Sequence, residues 1–183
     1  YRFVPDKAVV DVFKVKYDYH NLKTLLKARA MGVDGGRLLL DAGRVSAQEM
    51  NRAVTEGDYN ALPELLRAAA EEAGEVLAST GDPQLSDFVL DRAYYAEMLS
   101  AARETGSSFL VEYVQGTIDA ANLRSAVRTL RMKKGADMLK KVLVEGGAIR
   151  PESVQAAALA GNLEELYRPT PLRTAAELGT AAA

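Results

Sequence analysis

The sequence predicts an all-α chain, and three observations lead there. Ala, Leu, Glu, Arg and Lys dominate. Glycines and prolines fall mostly between periodic runs. No apolar–polar alternation of the strand type survives beyond a few residues. The 183 residues are 48% hydrophobic and 26% charged, which supplies enough apolar side chain for one or two packed domains. A formal net charge of −2 lacks the basic excess that phosphate backbones reward, so nucleic acid is not expected as a partner. The absence of cysteine excludes disulfides and thiolate chemistry.

The elements follow in order. The first helix is expected to start near Pro5-Asp6 and run to about Met31, stopping at Gly32. "GVDGGR" reads as a turn in which Gly35 and Gly36 supply positive φ, and a short helix follows over Arg37–Asp41. "SAQE" at 46–49 is a capping box in which the Ser46 hydroxyl takes a free amide at Glu49; its helix ends at Gly57. Another helix covers about Pro63–Leu77. "STGDPQLSD", residues 79–87, reads as the clearest linker, with Asp82 as N-cap and Pro83 at the first helical position of a helix reaching Gly106. The longest helix spans about Ser107–Lys134, with cations gathered at its C-terminal end where the dipole favours them. Shorter helices are expected at Ala136–Val144, Glu152–Leu159 and Leu163–Tyr167, and the tail after Pro169 and Pro171 is weakly specified.

Two of these helices say the same thing. Asp18, Asn21, Leu22 and Met31 return as Asp119, Asn122, Leu123 and Met132. Between them Lys23, Thr24, Leu26 and Lys27 return as Arg124, Ser125, Val127 and Arg128. After a three-residue shift in the turn, Leu39, Asp41, Gly43 and Val45 meet Leu143, Glu145, Gly147 and Ile149. Ala53, Gly57 and Leu62 then meet Ala157, Gly161 and Leu166. Such a period is too long for a solenoid and reads as a duplicated helical domain. The expected division is a first repeat over 1–82, completed by or linked to the helix 83–106, and a second, incomplete repeat over 107–183. Wheel arithmetic places Val9, Phe13 and Tyr17 on one stripe and Leu22, Leu25 and Leu26 nearly opposite. Leu110, Val114 and Ile118 likewise oppose Leu123, Ala126, Val127 and Leu130. Each long helix is therefore expected to change its buried face at the Asp-x-x-Asn segment, as a continuous rod or with a kink there.

"VFKVKYDYHNLKTLLKAR", "LDRAYYAEML", "FLVEYVQGTIDAANLRSAVRTLRM" and "LVEGGAI" together resemble the C subunits of the archaeal and bacterial V-type (A-type) ATPases and ATP synthases, whose family includes the d subunit of the eukaryotic vacuolar ATPase. The resemblance covers nearly the whole chain. It implies three similar helical domains around a pseudo-threefold axis, forming a funnel on the proteolipid rotor ring that holds the foot of the central shaft. It implies a non-catalytic coupling subunit in proton or sodium transport, without cofactor, cytoplasmic and peripheral to the membrane through its complex. Fewer than two of the three domains are visible here, and a chain running from Tyr1 to "LGTAAA" reads as part of something longer. A generic all-α adaptor, binding a partner through a concave helical face, is the alternative.

The candidate partner-contact face is Lys23 and Lys27, recurring as Arg124 and Arg128, with Arg131 beside them. It reads either as a socket wall against acidic groups of shaft or ring, or as a solvated face that supports the helix dipole. Asp18, Asn21, Asp119 and Asn122 read as caps or polar spacers bonded to a neighbouring turn rather than as contacts. One of Tyr94 and Tyr95 is expected inside and the other at the surface. His20, the single histidine, has no catalytic constellation around it in the sequence and reads as a surface residue. No phosphate-binding G-x-x-x-x-G-K-[ST] loop and no calcium-type carboxylate loop occurs. The longest uncharged stretch, Ser153–Leu163, is far short of the ~20 apolar residues of a membrane span.

Overall fold

In a computed structural model of the chain, which describes residues 6–181, nine α-helices and one 3-10 turn form and no strand is present among the described residues. The chain divides between Ser107 and Ser108 into two compact units.

The first unit holds α1 (Lys7–Ala30), a 3-10 turn (Gly36–Leu38), α2 (Ala47–Glu56), α3 (Glu64–Thr80) and α4 (Pro83–Glu104). Pro5 lies outside the described residues, but Asp6 caps α1 by accepting the Ala8 amide at 3.1 Å. Ser46 takes the Glu49 amide at 3.2 Å, as the capping box requires, and Gly57 closes α2 at φ 70°. Asp82 accepts the Gln84 amide at 2.9 Å with Pro83 at the first helical position. The segment read as a linker is thus a tight turn: α3 runs to Thr80, α4 starts at Pro83, and the buried Ser86 hydroxyl donates to the Ala73 carbonyl at 3.0 Å. In "GVDGGR" the positive φ belongs to Gly32, at 67°, instead of Gly35 or Gly36. Gly35 is needed for another reason, since a Cβ there would stand 2.7 Å from that of Ala28.

α1 is one continuous rod of 24 residues, but its buried face does not switch. Val12, Val15, Tyr19, Leu22 and Leu26 form one buried stripe at three- and four-residue steps, and from Asp18 onward the buried face widens around the helix to take in Asn21, Leu25 and Ala28. Val9 and Tyr17 are half-buried, and Phe13 is exposed. The physical reason is the company α1 keeps: α4 lies antiparallel along it, tied at Tyr19, Lys23 and Lys27.

The second unit holds α5 (Ser108–Arg131), α6 (Ala136–Val142), α7 (Pro151–Ala160), α8 (Leu163–Tyr167) and α9 (Arg173–Ala181). α5 is also continuous over 24 residues, and here burial does rotate, from Leu110, Val114 and Ile118 to Leu123, Ala126 and Val127. Leu123, Leu139, Val154, Leu163 and Tyr167 form the centre of the core. The tail is better specified than its prolines suggest. The Thr170 hydroxyl donates to the Tyr167 carbonyl at 2.7 Å and accepts the Leu172 amide at 3.1 Å, turning the chain into α9. Ala176 is then fully buried, and Gly179 lets α9 close on Val127.

Candidate functional site

The most heavily built feature of each unit is a polar anchor inside its long helix. On α1, Asp18 is fully buried and accepts the amides of Arg44 and Val45 at 2.9 and 3.1 Å. One turn on, Asn21 grips the backbone of Leu40 both ways: its amide group donates to the carbonyl at 2.7 Å and its oxygen accepts the N–H at 2.8 Å. On α5, Asp119 accepts the amides of Ala148 and Ile149 at 3.2 and 3.1 Å, and Asn122 grips Val144 at 2.8 and 2.9 Å. Every residue in the second set is the aligned counterpart of one in the first. The Asp and Asn therefore act as spacers bonded to a neighbouring turn, and they hold that turn flat against the rod. Gly43 and Gly147 permit the approach, because a Cβ on either would lie 2.1 or 2.2 Å from the aspartate oxygen.

The two anchors differ in charge balance. Arg44 donates through Nε to Asp18 at 2.7 Å and through Nη1 to Glu97 of α4 at 2.6 Å, while the Tyr19 hydroxyl donates to Glu97 at 2.6 Å. One guanidinium thus bridges two buried carboxylates from two helices, with Nη2 left as a buried donor without a hydrogen-bond partner among the described residues. Burial and the neighbouring Glu97 raise the Tyr19 hydroxyl well above the usual tyrosine range. At the aligned position in the second unit stands Ala148, and no cation pairs with Asp119 among the described residues. Burial raises the Asp119 carboxyl above its ordinary value, although the amides of Ile149 and Ala148 pull the other way. Arg44 and Glu97 carry no local signature: Arg44 reaches Asp18 across 26 residues of sequence, and Glu97 meets that same arginine from α4.

The five basic residues singled out in sequence have unequal situations. Lys23 pairs with Asp91 at 2.6 Å and Lys27 with Asp87 at 2.5 Å, both on α4, so these two cations are engaged inside the first unit. Arg131 donates to the Gly179 carbonyl at 3.2 Å. Arg124 and Arg128 are exposed and reach no carboxylate among the described residues. All three arginines line a groove of about 500 Å³ between α5 and α9, floored by Leu123 and Val127. His20 is exposed. Tyr94 and Tyr95 are both half-buried, their rings 4.7 Å apart, with Tyr94 also 5.8 Å from Tyr19; neither is fully inside. No group of three or more metal-ligating side chains exists among the described residues, and no described helix is long and apolar enough to cross a membrane.

Two compact helical units, each with a buried polar anchor that clamps a turn onto its long helix, define an all-α class of protein. The family described as ATP synthase (C/AC39) subunit matches residues 1–178, and the chain belongs to that family, whose members are structural rather than catalytic subunits. The C subunit of the V-type sodium ATPase of Enterococcus hirae is 24% identical over 150 residues, covering 82% of this chain and 46% of that protein. The C subunit of the A-type ATP synthase of Thermococcus onnurineus is 25% identical over 144 residues, covering 76% and 39%. The C subunit of the V-type ATP synthase of Thermus thermophilus is 25% identical over 126 residues, covering 67% and 39%. The chain thus spans less than half the length of these curated relatives. No solved structure matches it.

Proposed function

We propose that this chain is the coupling part of a non-catalytic central-stalk subunit in a rotary V/A-type ATPase, seating the rotating shaft on the proteolipid ring. The observation that carries the reading is the family match along residues 1–178. The anchors support it mechanically. A coupling must transmit torque without yielding, and close-packed helices with their turns bonded to a rod deform little under load. On this reading the two units descend from one bundle, supported by the aligned hydrogen bonds of Asp18 with Asp119 and of Asn21 with Asn122. The subunit sits peripheral to the membrane on its cytoplasmic side, held by protein partners and requiring no cofactor. Its contact face includes Arg124, Arg128 and Arg131. Lys23 and Lys27, already engaged by α4, belong to the internal scaffold.

The test is capture. The tagged chain, mixed with purified shaft subunits and detergent-solubilised ring of a V/A-type ATPase, is expected to retain the shaft in stoichiometric amount. Absence of retention by both shaft and ring sinks the assignment.

A further inference from the structure

We draw no further inference here: the strongest candidate, the open groove between α5 and α9 edged by Arg124, Arg128 and Arg131, carries none, because nothing in the structure shows what covers it.

Discussion

Gly147→Ala gives the sharpest test of the anchor. The added Cβ would stand 2.2 Å from the Asp119 oxygen, so the carboxylate must leave its place. Two hydrogen bonds go with it, from the amides of Ala148 and Ile149. Each bond to a charged group is worth roughly 1.5–3 kcal/mol, and the loss here is reduced where water reaches the freed groups. Against this, alanine restricts the unfolded chain and returns about 0.4–1 kcal/mol. The expected net loss is about 2–4 kcal/mol, a large fraction of a typical domain's 5–15 kcal/mol. Gly116 provides the control, since it lies inside α5 with nothing within 4 Å of a new Cβ. Gly116→Ala should gain roughly 0.5–1 kcal/mol from helix propensity alone. Urea unfolding followed by circular dichroism measures both. A Gly147→Ala protein within 0.5 kcal/mol of wild type, a shift that would be roughly within the error of extrapolation, would refute the close-approach argument.

Arg44→Ala should cost about 3–5 kcal/mol, because it strands two buried carboxylates, and Glu97→Gln in the same chain should recover part of that in a double-mutant cycle. Lys23→Ala or Lys27→Ala should each cost no more than about 1 kcal/mol in thermal melts, since both ion pairs are partly open to water. The Asp119 carboxyl is raised by burial from 3.8, so its ionisation opposes folding: its contribution is fully present below pH 3.8 and lost as pH rises through the folded value. Wild type should therefore gain stability relative to Asp119→Asn as pH falls from 7 towards 4. An unchanged difference across that range would remove the uncompensated charge from the account.

What is legible in the sequence is what depends on near neighbours. Helix starts at Ser46 and Asp82, stops at Gly57 and Gly161, and the recurrence of Asp-x-x-Asn with a glycine downstream are local chemistry, written within a few residues of where they act. The recurrence even locates the anchors, though not their burial. Tertiary packing decides the rest. Wheel arithmetic places Phe13 on a buried stripe, but the residues buried are Val12, Val15 and Tyr19, the last bonded to Glu97 of α4, and α4 begins some fifty residues beyond the end of α1. Local pattern likewise offers no reason for Arg44 to join Asp18 to Glu97, or for α9 to form after two prolines. A helix's existence is fixed by bonds four residues long, whereas its buried face is fixed by whichever neighbour removes most apolar surface from water, and that neighbour is chosen by the whole fold.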